Sequence, residues 1–104
     1  MKQKDIFDFR DRLARQLPDP TQIARGTLLR RTIRHDRGCP KCRAGGGHPV
    51  WVLTVTYPGG RTRQFSIRPE QRTQVQKWVR NYQRLKEGLE AISELNHELL
   101  RPSG

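Results

Sequence analysis

Two cysteines and two histidines fall within fourteen positions, in the stretch HDRGCPKCRAGGGH from His35 to His48, in a chain of 104 residues that has two Cys and three His in all. His35, Cys39, Cys42 and His48 spell H-x3-C-x2-C-x5-H, and a tetrahedral zinc ion wants four nitrogen or sulfur ligands with a central pair of thiolates two residues apart. Lys41 and Arg43 beside the thiols favour the thiolate that a metal needs, and the glycines of the segment give a knuckle its backbone freedom. Such a zinc would be structural, because four protein ligands leave no open position for water. Two other readings stand beside it. The thiols are unmetallated and His35 and His48 are ordinary strand-end and turn residues, or CPKC is a redox pair. The redox chemistry wants its first Cys at a helix N-terminus, whereas here three glycines and a proline follow.

The second feature with chemical content is charge. The chain carries 21 Lys and Arg against 10 Asp and Glu, a net charge of +11. From Arg25 to Arg84 there are fourteen basic and two acidic residues, a net of +12, while the two ends together carry −1. A charge needed only for solubility would be spread out; a middle holding the whole excess reads as a footprint for a polyanion. The excess is mostly arginine, whose planar fork suits phosphates and base edges. The candidate nucleic-acid contacts are Arg30, Arg31, Arg34, Arg37, Lys41, Arg43, Arg61, Arg63, Arg68, Lys77, Arg80 and Arg84. A solvated basic face is the bland alternative. Trp51, Tyr57 and Trp78 read either as core residues, the commoner role, or as stacking platforms, and DNA and RNA both remain open.

Positioning these groups requires a fold, and the pattern implies α+β. Residues 1–19 carry Ile6, Phe9, Leu13 and Leu17 at spacings of three and four, an amphipathic helix stopped by Pro18 and Pro20. Residues 26–68 read as a small three-stranded antiparallel sheet with the Cys/His knuckle in it. A strand lies near Thr27 to Arg34, VWVLTVTY is the clearest strand, and PGG turns the chain into RTRQFSI. Trp51, Leu53, Val55 and Tyr57 share one face of the central strand, and the opposite face is mainly hydroxyls and an amide. Pro69 opens a helix over 69–101, about 32 residues and roughly 48 Å long. Its stripe of Val75, Trp78, Tyr82, Leu85, Leu89, Ile92, Asn96 and Leu99 has heptad spacing. The expected packing sets the first helix and the sheet on the N-terminal half of this stripe. Leu85, Leu89, Ile92, Asn96 and Leu99 then serve a homodimeric coiled coil or another partner.

The whole, 1–104, reads as a single domain. There is no apolar run long enough for a membrane span and no secretory leader, which implies a cytoplasmic protein. An enzyme is not expected: the basic middle has no paired carboxylates, no nucleophile elbow and no P-loop, and the acidic residues sit at the far end of the long helix.

The run GTLLRRTIRHDRGCPKCRAGGGHPVWVLTVTYPGGRTRQFSI, followed by WVRNYQRLKEGLEAISELNHELL, resembles a family of short bacterial proteins of unknown function associated with transposon and insertion-sequence neighbourhoods. In that family a strand precedes a Cys-rich knuckle, a His, an aromatic strand, a Gly hairpin and a long helix with an L-N-x-E-L-like segment. By position, Cys39, Cys42 and His48 fall in the knuckle and Leu95, Asn96, Glu98 and Leu99 in the closing helix. The likeness covers most of residues 26 to 101; here the knuckle has only two thiols, and Pro49-Val50 stands where Gly-Pro is commoner. It implies an accessory or regulatory nucleic-acid-binding role in a mobile element, with a transposase or other mobile-element protein as partner. The competing reading is an adaptor that docks such a partner through the long helix.

Overall fold

The computed structural model describes residues 2–33 and 48–101. Helix α1 (Gln3–Arg15) is followed by strands β1 (Thr27–Ile33), β2 (His48–Thr56) and β3 (Thr62–Ile67). A single 3-10 turn (Pro69–Gln71) then leads into helix α2 (Arg72–Leu99). The class is α+β, with one three-stranded antiparallel sheet in the order β1-β2-β3. No helix among the described residues is long and apolar enough to cross a membrane. The chain groups into two compact units: a helical unit, Met1–Ile23 with Arg80–Gly104, and a sheet unit, Ala24–Val79. Helix α2 is continuous and contributes to both.

In the helical unit, α1 has Asp5 in its first turn and Arg12 and Arg15 in its last, each at the dipole end that favours it. The Gln16 N–H closes the helix on the Leu13 carbonyl at 3.0 Å, before Pro18 forbids continuation. Ile6 is buried and Leu13 and Leu17 are half-buried, as the spacing predicts, but Phe9 is 42% exposed. The half-buried residue on that line is Arg10. Its guanidinium lies 4.9 Å from the Phe7 ring centre and donates to Asn96 Oδ1 at 3.1 Å, so its stem fills an apolar position while its head finds a polar partner. The helical unit therefore groups α1 with α2 from Arg80 onward, whereas the sequence reading set both the first helix and the sheet on the N-terminal half of the stripe. The connector after α1 is pinned by Asp19, whose Oδ1 accepts from the Thr21 N–H at 2.9 Å and from its hydroxyl at 2.8 Å. These two donors, the backbone N–H first, hold the exposed Asp19 carboxyl below its ordinary pKa. Asn81 of α2 donates to the Gln22 carbonyl at 2.9 Å.

In the sheet unit, alternation does what the sequence implies. Leu53 and Val55 of β2 and Val75 of α2 form the buried core, with Ala24, Leu28, Tyr57, Ile67 and Val79 packed around them. The β1 entry depends on Gly26, at φ 145°, where an added Cβ would meet Leu53 Cδ1 and the Thr54 carbonyl oxygen at 2.9 Å each. The β2–β3 turn has Pro58 second and Gly59, at φ 89°, third, the residue choice of a type II turn, and Gly60 follows at φ 85°. On the opposite face, Gln64, with its oxygen turned to Arg31, accepts from both Nη1 and Nη2 at 3.1 Å. The register sets Val52 midway along this diagonal, where it is buried with Leu29 and Ser66 as its cross-strand neighbours.

Candidate nucleic-acid interface

The division into units is also a division of charge. Counted along the sequence, the sheet unit holds twelve Lys and Arg against Asp36 and Glu70, a net of +10. The helical unit holds nine against eight, a net of +1. Among the described residues of the sheet unit the one carboxylate, Glu70, is already paired with Arg68 at 3.2 Å.

Among the described residues of this unit the arginines do not form one continuous patch. Arg30 and Arg31 are neighbours on β1, so the pleat sends them to opposite faces: Arg30 pairs in register with Trp51 on the α2 side, and Arg31 lies with Gln64 on the other. Arg72, the first residue of α2, stacks over Trp51 at 4.4 Å. The tightest grouping is at the β2–β3 hairpin. Tyr57, Pro58, Arg61, Thr62 and Arg63 line an open pocket of about 410 Å³. Arg25 lies over the Tyr57 ring at 5.2 Å and donates to the Thr56 carbonyl at 2.6 Å, which leaves most of its five N–H donors for other acceptors. Arg63 lies 5.2 Å from the Phe65 ring centre, and Phe65 is 39% exposed. The Arg61 carbonyl accepts from the Tyr57 N–H at 2.7 Å, fixing the pocket's two sides to each other. Arginines held against aromatic rings are pre-organised donors, since their rotamer freedom is already spent.

Of the candidate contacts, Arg61 and Arg63 come together at this pocket, Arg30 and Arg31 part, and Arg68 is held by Glu70. Lys77 is an exposed residue of the sheet unit on α2, while Arg80 and Arg84, also exposed, belong to the helical unit. Arg34, Arg37, Lys41 and Arg43 lie outside the described residues, as do His35, Cys39 and Cys42 and the side chain of His48. The backbone does pair Ile33 with His48, so the segment that carries the zinc candidates is closed at its base by the sheet. Among the described residues no group of three or more His, Cys, Asp or Glu could hold a metal. Of the partner-helix candidates, Leu85, Ile92 and Leu99 are half-buried, Leu89 is 53% exposed, and Asn96 is bonded to Arg10 of its own chain.

Sequence reasoning missed Arg25, Arg72 and Phe65 as members of the site and left Tyr57 between a core residue and a stacking platform. Arg25 sits thirty-one residues from the carbonyl it bonds, and nothing local announces that the two meet. Tyr57, by contrast, stands immediately before the turn, where a ring at a strand end borders the loop.

A family model for a domain of unknown function, DUF6788, matches residues 3–77. The match takes in α1, the sheet and the first turns of α2. It thus includes the N-terminal helix that the sequence resemblance left out, and it stops before the L-N-x-E-L-like segment. No curated protein and no solved structure matches the chain. Because the match spans well over half of the sequence, the chain belongs to the DUF6788 family.

Proposed function

We propose that this protein binds nucleic acid through its sheet unit. The observation that carries the reading is the coincidence of two independent partitions. The residues that fold together as the sheet unit also hold nearly all of the excess positive charge, +10 against +1. Charge of that density attracts a phosphate backbone without needing base-specific contacts, and the arginines at the hairpin supply forked donors for it. Electrophoretic mobility shift with labelled single-stranded and duplex DNA and RNA tests this: a retarded band at low salt is expected, and none with any of the four probes overturns it.

A structural zinc held by His35, Cys39, Cys42 and His48 belongs to the same reading. The Ile33–His48 pairing supports it in one respect: a metal inside a loop whose ends are already joined orders the loop at a smaller entropic cost. Elemental analysis of purified protein should find one zinc per chain, lost in a Cys39→Ser, Cys42→Ser variant; a metal-free, equally stable wild type would sink this part. The accessory role in a mobile element rests on the family resemblance alone. A second reading, docking of a transposase or a second copy through α2, draws support from Leu89 of α2 and Leu100 just past its end, exposed at 53% and 81%.

A further inference from the structure

We propose that the hairpin pocket is a seat for one unpaired nucleotide, so that the preferred ligand is a single strand and not a duplex; this rests on the nucleic-acid reading above. The pocket joins three things that a nucleotide needs. Tyr57 offers a half-buried aromatic ring for the base, and Arg25 and the Arg61 carbonyl hold that residue in place from two directions. Arg61 and Arg63 bring forked cations for the phosphate, and the Thr62 hydroxyl gives a neutral donor and acceptor for sugar or base edge. The volume, about 410 Å³, is within the roughly 300–1,000 Å³ of ordinary small-ligand sites. No carboxylate lines it, so nothing there opposes an anion.

The choice between a single strand and a duplex follows from what each can offer such a site. In a duplex the ring faces are stacked on one another, and a protein reads only edges and backbone. In a single strand the bases splay and can stack on aromatic side chains while the backbone follows a basic groove. A concave pocket with an aromatic wall is of use only to the second. A β-ribbon that enters a major groove instead projects its side chains outward. Here Arg63 folds back along Phe65 and Arg25 along Tyr57.

The test is fluorescence anisotropy with a labelled 12-mer of mixed sequence, as single strand and as duplex, on the full chain. Wild type should bind the single strand at least about five-fold more tightly than the duplex, with stacking on one ring the source of the difference. Tyr57→Leu should remove that preference while leaving duplex binding within about two-fold, and Tyr57→Phe, which keeps the ring, should retain it. Because Tyr57 also borders the core, circular dichroism melts of all three proteins accompany the titrations. If Tyr57→Leu is folded and still prefers the single strand as wild type does, or if wild type prefers the duplex, the pocket is not a nucleotide seat and the broader reading survives. If wild type binds neither form at low salt, the broader reading itself fails.

Discussion

The two units of this chain are built from the same kinds of residue and use charge in opposite ways. In the helical unit basic and acidic residues nearly cancel, and ion pairs form between near neighbours in the chain: Arg10 with Asp11 on α1, and Glu98 of α2 with Arg101 just beyond it. Such exposed pairs are worth little individually, and the unit as a whole is left with a net charge of only +1. In the sheet unit one arginine, Arg68, is paired with a carboxylate, and four others are held by groups that do not neutralise them. Arg25 rests on a ring and a carbonyl, Arg31 on an amide, Arg63 on Phe65 and Arg72 on Trp51. Neutral partners fix a guanidinium and leave its charge available, which is what a surface meant for a polyanion requires and what a stability network does not.

Charge reversal should break this contrast most visibly. Arg61→Glu with Arg63→Glu, in the sheet unit, is expected to weaken single-strand binding at least ten-fold at low salt. It should also flatten the salt dependence by about 1.4, two phosphate contacts at roughly 0.7 each. The matching pair in the helical unit, Arg84→Glu with Lys86→Glu, should change affinity less than about three-fold in the same anisotropy titration. Equal losses from both pairs would mean that net charge alone governs binding and that the division into units is irrelevant to it.

Each unit also holds a glycine whose Cβ position is crowded, Gly26 and Gly88, and these should separate in stability. Gly26→Ala meets the fixed Thr54 carbonyl and a positive φ, and should cost about 2 kcal/mol in urea denaturation. At Gly88 in α2 the new methyl would strike only the end of the flexible Leu17 side chain. The roughly 1 kcal/mol of helix propensity gained there offsets much of that clash, so Gly88→Ala should lie within about 1 kcal/mol of wild type. A smaller effect is expected from the Arg10–Asn96 bond. A double-mutant cycle with Arg10→Leu and Asn96→Leu should return a coupling of about 1 kcal/mol or less, as befits an exposed hydrogen bond.

The smallest effect concerns pH. Because Thr21 holds the folded-state pKa of Asp19 below its unfolded value, the carboxylate contributes stability that is present above the unfolded pKa and is lost as pH falls through the folded one. The urea midpoints of wild type and Asp19→Asn should therefore converge on acidification, and a gap that widens toward low pH would contradict the assignment.

Much of the fold was legible because its signals are local. Period-two alternation marked β2 and β3, Pro58-Gly59-Gly60 marked their turn, and Pro69 marked the approach to α2. What was not legible depends on distant partners. The choice of Arg10 over Phe9 for the half-buried line of α1 follows from Asn96, eighty-six residues away. The heptad stripe runs unbroken along α2, so nothing in its period shows that its first turns belong with the sheet and the rest with α1. At the site, strand parity alone parts Arg30 from Arg31, whereas the arrival of Arg25 at Tyr57 needs the β1–β2 register, which pairs Thr27 with Thr54.

The most direct test of the central claim is the slope of log Kd against log salt for wild-type protein and a single-stranded 12-mer, measured by anisotropy from low to physiological salt. Binding that weakens steeply, with a slope corresponding to at least two or three phosphate contacts at roughly 0.7 each, is the predicted result. Absence of measurable binding at the lowest salt, or an affinity that does not change with salt, would contradict it.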